Sequence, residues 1–319
     1  MIGVVGAGAF GTALAVALAK TGGEVRLWAR SERDAQRLLA DRRNETHLPG
    51  VDLPKSVTIH AELADLTMAE AVLLCIPMQS LGSFLAAHPG LGTNQPLVAC
   101  CKGIDLATLR GPVALIQAAR PDARVAMLTG PSFAADIAGG LPTALTLACD
   151  DRLGLALQAL LSTPTLRLYR TDDVIGAELG GALKNVIAIA AGVVIGAELG
   201  DSARAALMTR GYAEMVRLAQ HLGARPETLA GLSGFGDLVL TCTSPQSRNF
   251  RFGLALGRRE AFDPAITVEG AATATAVARL AAELGMEMPV TTMVAALVSG
   301  TIPLEDAVAR LMTRPLKQE

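Results

Sequence analysis

The sequence predicts an α/β fold: a doubly wound, mostly parallel sheet in the first half of the chain and an all-α domain in the second. Short runs rich in Val, Ile and Leu alternate with helical patterns up to about Thr171, whereas beyond Asp172 only Ala-, Leu- and Met-rich helical patterns continue. A chain of 319 residues is long enough for two domains. We predict them at residues 1–172 and 173–319.

Eight apolar runs in the first half are predicted to be strands. They are IGVVG, EVRLWAR, VTIHA, AVLLCIP, PLVACC, VAMLT, TALTLAC and LRLYR. Near-continuous apolar strands indicate a sheet covered on both faces, because parallel neighbours need crossover helices that pack there. The first nineteen residues, MIGVVGAGAFGTALAVALA, could be mistaken for a signal peptide, but no basic segment precedes them, so a strand, a glycine turn and a helix explain them better.

The second half is predicted to contain a central helix, from about Ile175 to Leu199, that is apolar nearly all round. Such a helix is typically buried among other helices. Its longest apolar run, Val186 to Ala197, is too short to span a bilayer. Gly231 to Gly236, the TSPQSRN segment and Pro264 are predicted to interrupt the helices that follow.

The charge and the cysteine content narrow the function classes. A formal net charge of -2 gives no positive field that would attract nucleic acid or an anionic membrane. The five cysteines lack metal-site spacing and secretory context, so we expect reduced thiols and a cytoplasmic location. The strand, turn and helix expected at residues 1–19 and the short apolar run in the central helix add the expectation of no membrane insertion. The four histidines form no evident triad or metal spacing, so no metal is predicted.

The pattern G-A-G-A-F-G at residues 6–11 follows the first predicted strand and opens a helix. In that context Gly6 makes the turn, Gly8 admits a pyrophosphate to the backbone, and Gly11 lets helix and strand pack. Amide groups at the helix start would hold the phosphates. The motif predicts a dinucleotide site, the alternative being a merely structural turn.

The end of the second predicted strand bears on the choice of cofactor. It reads Trp28-Ala29-Arg30-Ser31, where an acidic residue would be expected to bind the ribose 2′-hydroxyl of NAD. Arg30 can instead bond the 2′-phosphate of NADP. The arginine favours NADP, Glu32 leaves NAD open, and a solvated arginine at a strand end is the alternative to both.

Two lysines have apolar or small neighbours: Lys102 after PLVACC, and Lys184 within ELGGALKNVIAIAAG. Burying an ammonium without a partner is costly. A substrate carbonyl or carboxylate could satisfy it, since a lysine can donate a proton or stabilise an alkoxide during hydride transfer. The alternative is a lysine that reaches solvent or pairs internally, which suits Lys184 poorly because it lies in so apolar a helix.

A third group of residues runs from GFGDLVLT at 234–241 to SPQSRN at 244–249. Arg248 is the candidate anion-binding residue because guanidinium presents a planar fork of donors to phosphate, with Ser247 and Asn249 as neighbouring donors. Asp237 could hold a substrate hydroxyl or orient Lys184. The alternative is a loop that is polar because it is exposed.

Together these residues resemble the bacterial NAD(P)-dependent glycerol-3-phosphate dehydrogenase family over nearly the whole chain. The matching segments are GAGAFGTALA, WAR, NETHLPG, CKGI, GPSFA, ELGGALKNVIAIAAG, GLSGFGDLVLTCTSPQSRNFRFG and VEG. The resemblance implies an N-terminal Rossmann domain, a helical C-terminal domain and an active site between them. The implied activity is the reversible reduction of dihydroxyacetone phosphate to sn-glycerol 3-phosphate for glycerophospholipid synthesis, and a homodimer stays open.

The resemblance also implies roles for individual residues. Lys184 is implied to accept the proton in glycerol 3-phosphate oxidation, while Lys102 and Asp237 orient the reacting group. The implied substrate site consists of Lys102, Gly130, Ser132, Lys184, Asp237, Ser247, Arg248 and Asn249. The implied contacts of the nicotinamide cofactor beyond the glycine turn are Phe10, Arg30, Lys102, Ala134, Arg248 and Glu269.

Two other functions remain open at this point. A two-domain dehydrogenase acting on a β-hydroxyacid or a branched ketoacid would also use a lysine on the central helix, but would not need the Ser-Arg-Asn group at 247–249. A non-catalytic dinucleotide sensor would bind the cofactor without turnover. Such a sensor needs no proton donor, which the two lysines would supply.

Overall fold

The computed structural model describes residues 1–312. In that range it has ten strands: β1 (Ile2–Val5), β2 (Val25–Trp28), β3 (Arg43–Asn44), β4 (Leu48–Asp52), β5 (Val57–His60), β6 (Ala71–Leu74), β7 (Leu97–Ala99), β8 (Val125–Thr129), β9 (Thr143–Ala148) and β10 (Leu166–Thr171). Its α-helices in the first half are α1 (Ala9–Ala19), α2 (Glu32–Asp41), α3 (Met78–Ala87), α4 (Pro112–Ala119), α5 (Ala134–Gly139) and α6 (Asp151–Leu161).

The second half is helical throughout its described part, as predicted. Its helices are α7 (Val174–Gly196), α8 (Gly200–His221), α9 (Pro226–Ala230), α10 (Asp237–Thr243), α11 (Arg248–Arg258), α12 (Glu269–Glu283), α13 (Pro289–Val298) and α14 (Leu304–Met312). The predicted second domain runs to Glu319, and its residues 313–319 lie outside the described range.

All eight predicted strands are present, and they form one sheet in the order β10-β9-β8-β7-β6-β1-β2-β5. Six strands that are adjacent in the sheet, β5, β2, β1, β6, β7 and β8, are parallel to one another. The sheet departs from parallel order once, because β9 runs antiparallel to β8 while β10 runs parallel to β9. Strand order reverses between β1 and β6, and in such sheets ligands bind outside the carboxyl ends of the strands at that point.

A small antiparallel hairpin, β3 with β4, lies outside the main sheet and was not predicted. Its strands contain polar residues, a proline and a glycine, so they carry no apolar pattern. The buried Asn44 fixes the hairpin: its Nδ2 donates to the Ala7 carbonyl at 2.9 Å and to Thr12 Oγ1 at 2.8 Å. The hairpin therefore supports the glycine turn.

The central helix α7 is buried along almost its whole length by α8, α10, α11 and α12. It is long and apolar enough to cross a membrane, yet 94% of its most apolar window is buried inside the protein. Glycines allow the close packing, since a Cβ on Gly192 would lie 2.1 Å from the Phe250 carbonyl oxygen. The predicted interruption at Gly231 to Gly236 is instead a π-helical turn, Leu232–Gly236, that leads directly into α10.

Candidate active site

The glycine turn has the geometry of a dinucleotide site. Gly6 has a φ of +106°, and a Cβ on it would lie 2.6 Å from the Cys75 carbonyl oxygen. A Cβ on Gly11 would lie 2.1 Å from the Gly6 carbonyl oxygen. Nothing in the described chain lies within 4 Å of a Cβ built on Gly8, which caps α1 without a side-chain hydrogen bond. Gly6 and Gly11 permit close packing, and the open space at Gly8 fits a pyrophosphate at the start of α1.

The other predicted cofactor contacts lie around this turn and the switch point. Phe10 is half-buried in the first turn of α1, and Ala134 is half-buried at the start of α5. Arg30 is exposed just beyond β2. Glu269 begins α12, and its Oε1 accepts from the backbone N–H of Met78 at 3.2 Å. Because Met78 is the first residue of α3, this bond connects the helical half with the loop that follows β6.

Three charged side chains meet where α7, α10 and the segment after β7 converge. Nζ of Lys184 donates to Oδ1 of Asp237 at 2.9 Å and to Oγ1 of Thr241 at 2.7 Å. Nζ of Lys102 donates to Oδ2 of the same carboxylate at 2.5 Å and to the Gly130 carbonyl at 3.0 Å. Asp237 therefore bridges the two lysines that the sequence singled out.

Burial and charge set the ionisation of this cluster. Lys184 is 7% exposed and Asp237 is 1% exposed. Burial lowers the pKa of Lys184 to about 8, although Asp237 opposes the change. Burial acts to raise the pKa of Asp237, but Lys102 and Lys184 outweigh it and hold that pKa below its usual value. Two ammonium groups share one carboxylate, so the cluster keeps a positive charge that suits an anionic substrate or a developing alkoxide.

The Ser-Arg-Asn group lies at the start of α11, and its members have different surroundings. Ser247 caps the helix, because its Oγ accepts from the N–H of Phe250 at 3.2 Å. Asn249 is buried: its Oδ1 accepts from the N–H of Gly270 and its Nδ2 donates to Oδ1 of Asn185, both at 2.9 Å. Arg248 is exposed, so its guanidinium is open to an anion.

The positive charge of Arg248 also connects this group with the start of α12. Burial raises the pKa of Glu269, and Arg248 partly opposes that rise. Ser132 is half-buried, and its Oγ donates to the Gly130 carbonyl at 3.3 Å, beside Lys102. The predicted substrate residues therefore fall into two sets, one around Lys102 and one around Arg248.

Two residues of the cluster were missed in the sequence. Thr241 contacts Lys184, and its position four residues after Asp237 on one helix was the available signal. Asn185 connects α7 with Asn249, and it was visible only as a polar neighbour of Lys184. All five cysteines are free, as expected, and residues 1–312 contain no group of three side chains suited to a metal ion.

Comparison with known proteins assigns both halves of the chain to one family. Residues 1–154 match the family model for the NAD-dependent glycerol-3-phosphate dehydrogenase N-terminus, and residues 173–309 match the model for its C-terminus. The chain is 60% identical over 319 residues to a glycerol-3-phosphate dehydrogenase [NAD(P)+] of Ruegeria sp. (strain TM1040), covering 100% of this chain and 99% of that protein.

Two further proteins agree. A glycerol-3-phosphate dehydrogenase [NAD(P)+] of Paracoccus denitrificans is 62% identical over 319 residues, covering 100% of this chain and 99% of that protein. The crystal structure of glycerol-3-phosphate dehydrogenase from Coxiella burnetii superposes with a TM-score of 0.93 at 36% identity, covering 98% of each chain. The chain therefore belongs to the NAD-dependent glycerol-3-phosphate dehydrogenase family.

Proposed function

We propose that this protein is an NAD(P)-dependent glycerol-3-phosphate dehydrogenase that reduces dihydroxyacetone phosphate to sn-glycerol 3-phosphate, and catalyses the reverse, for glycerophospholipid synthesis. The observation that carries the proposal is the buried Lys184 ammonium, held by Asp237 beside Lys102. The names of the relatives from Ruegeria and Paracoccus support the substrate.

Lys184 is the proposed general acid and base. An ammonium has three N–H donors, and Asp237 and Thr241 accept two of them, which leaves one for a substrate oxygen. In reduction Lys184 donates a proton to the oxygen on C2, and in oxidation its neutral amine accepts that proton. A pKa of about 8 keeps both forms accessible near neutral pH. The dinucleotide, when bound, supplies or takes up the hydride.

Lys102 and Arg248 are proposed to position the substrate. Lys102 also has one N–H left after its bonds to Asp237 and Gly130, so it can orient the reacting oxygen. The exposed Arg248 guanidinium suits the phosphate. Gly130 and Ser132 flank Lys102, while Ser247 and Asn249 hold Arg248 at the start of α11.

NADP is the proposed preferred cofactor, with NAD as the second. The open space at Gly8 supports a dinucleotide of either kind, and the exposed Arg30 supports NADP, because an arginine at the end of β2 can bond a 2′-phosphate. We also propose a cytoplasmic enzyme without membrane insertion, which the burial of α7 and the free cysteines support. A homodimer is proposed as its assembly, which light scattering would test.

The deciding experiment follows NADPH oxidation spectrophotometrically with dihydroxyacetone phosphate beside a panel of unphosphorylated ketoacids, and repeats it with NADH. We expect turnover with dihydroxyacetone phosphate and a higher kcat/KM with NADPH. Turnover only with a ketoacid would show that the substrate is a ketoacid instead of dihydroxyacetone phosphate. Cofactor binding without turnover on any substrate would indicate a sensor instead of an enzyme.

A further inference from the structure

Two glycines, Gly180 and Gly181, lie one helical turn before Lys184 on the same face of α7, because residues three and four apart are neighbours on a helix. Each of them is in contact with a segment next to one of the other two charged residues of the site, Asp237 or Lys102. Gly180 faces the π-helical turn before Asp237, and Gly181 faces the end of β8 beside Lys102.

The contact at Gly180 is with backbone. A Cβ there would lie 2.6 Å from the Ser233 carbonyl oxygen and 3.0 Å from Cα of Gly234. Both residues belong to the π-helical turn that ends immediately before Asp237. A side chain at position 180 would therefore force the π-helical turn, and with it Asp237, away from α7.

The contact at Gly181 is with a side chain. A Cβ there would lie 2.5 Å from Oγ1 of Thr129, which is fully buried and has no hydrogen-bond partner among the described residues. The next two nearest atoms are Cβ of Thr129 at 3.5 Å and Cδ of Lys102 at 3.6 Å, which are ordinary contact distances. Thr129 directly precedes Gly130, whose carbonyl accepts from Lys102.

We propose that Gly180 and Gly181 are positioning residues: the absence of side chains at these two positions sets the distances of Asp237 and Lys102 from Lys184. The proposal rests on the proposed function, since it assigns the two glycines to the chemistry of that same site. A methyl group at position 180 pushes Asp237 away from Lys184, and one at position 181 pushes the end of β8, with Lys102, away from α7.

The test compares Gly181→Ala with the double variant Thr129→Ala/Gly181→Ala. The single variant is expected to lose about 10² in kcat, as for a displacement of about 1 Å, while the Kd for NADPH stays near that of the unmodified enzyme. The double variant is expected to recover, because removal of Oγ1 removes the contact at 2.5 Å. Thr129→Ala alone should lower kcat much less than Gly181→Ala does, since it adds no atom between α7 and β8.

The pH profile of glycerol 3-phosphate oxidation separates positioning from general loss of stability. Gly180→Ala moves the carboxylate away, so the rise in kcat/KM should shift to lower pH, whereas Gly181→Ala moves Lys102 away and should shift it to higher pH. Gly3→Ala is the control, because Gly3 lies in β1, away from Lys184, and its new methyl group would meet Cδ2 of Leu66 at 2.9 Å. It should lower stability without shifting the profile.

Gly181→Ala with unchanged kcat, or a double variant as impaired as the single one, would overturn the proposal. If Gly180→Ala does not fold, the comparison of Gly181→Ala with Thr129→Ala/Gly181→Ala still tests the proposal. If the unmodified enzyme does not oxidise glycerol 3-phosphate, the proposed function fails separately. Crystal structures then test the positioning alone: an unchanged distance from Nζ of Lys102 to Nζ of Lys184 in Gly181→Ala would refute it.

Discussion

Oδ1 of Asp237 lies 2.9 Å from Nζ of Lys184, and both groups are almost completely buried. Burial alone would favour a neutral amine, and the carboxylate opposes this, so the pKa of Lys184 is about 8. A lysine with that pKa can both give and take a proton under ordinary conditions.

The pH dependence of oxidation follows from this pKa. Lys184 must be neutral to accept a proton, so kcat/KM for glycerol 3-phosphate should rise as the pH passes about 8, while reduction should decline over the same range. Initial rates in both directions, from about pH 6.5 to about pH 9.5, test the expectation. A flat profile in oxidation would contradict it.

Removal of the Lys184 amine should slow the reaction but leave cofactor binding intact. We expect Lys184→Ala to lower kcat by on the order of 10² to 10⁴, as for loss of a general acid and base. Steady-state rates and NADPH titration by fluorescence measure the two effects. Lys55→Ala, at an exposed position, is the control and should be unchanged. Near-normal turnover in Lys184→Ala would remove the residue from the mechanism.

Arg248→Ala should weaken substrate binding most. Loss of a charge-assisted contact costs roughly 1.5 to 3 kcal/mol, which raises the substrate KM by about 10- to 150-fold. Arg251→Ala is the matched control, since it removes an exposed arginine from the same helix. Equal KM values for the two variants would show that Arg248 does not bind the phosphate. A smaller loss of cofactor affinity is also expected for Arg248→Ala.

Arg30→Ala should change the cofactor preference. We expect the Kd for NADPH to rise by about tenfold or more, since a charge-assisted contact with the 2′-phosphate is lost, while the Kd for NADH changes little. Arg33→Ala, three residues on in α2, controls for a general loss of positive charge. Parallel losses for both cofactors in Arg30→Ala would place the 2′-phosphate elsewhere.

Glu178 should make stability depend on pH. It lies on α7, and its Oε1 accepts from the N–H of Val113 at the start of α4 at 2.6 Å. Burial raises its pKa from 4.5 to about 7. The folded protein therefore binds more protons than the unfolded chain between these values, so this contribution to stability is complete below about pH 4.5 and is lost as the pH rises through about 7.

Denaturant unfolding of Glu178→Gln beside the unmodified protein measures this contribution. The free-energy difference between them should change by on the order of 2 to 3 kcal/mol between about pH 5 and pH 8, since one pKa unit is about 1.4 kcal/mol. Relative to the variant, the unmodified protein should be less stable at the higher pH. Glu283→Gln, at an exposed position, should show no such change. A constant difference for Glu178→Gln would refute the shift.

The sequence predicted those features that depend on local pattern. Eight strands, the glycine turn and the buried helix α7 each follow from a short stretch of residues. The hairpin β3–β4 escaped prediction because a long-range contact, Asn44 with Ala7 and Thr12, holds it instead of an apolar pattern. The antiparallel step at β9 also escaped, because an apolar run carries no sign of its direction.

The site shows the same division. The burial of Lys184 could be predicted from its neighbours in the chain, but the bridge from Asp237 to both lysines joins residues 53 and 135 positions apart. Asn249 was expected only as a phosphate donor, and its bonds to Gly270 and Asn185 depend on how α11 packs against α7 and α12. Packing of that kind leaves no local signal.

The position of Lys184 along α7 has an electrostatic consequence. Lys184 lies ten residues, about 15 Å, after Val174, the first residue of α7. The partial positive charge at the N-terminus of a helix acts only within about the first turn, so it does not repel the ammonium of Lys184.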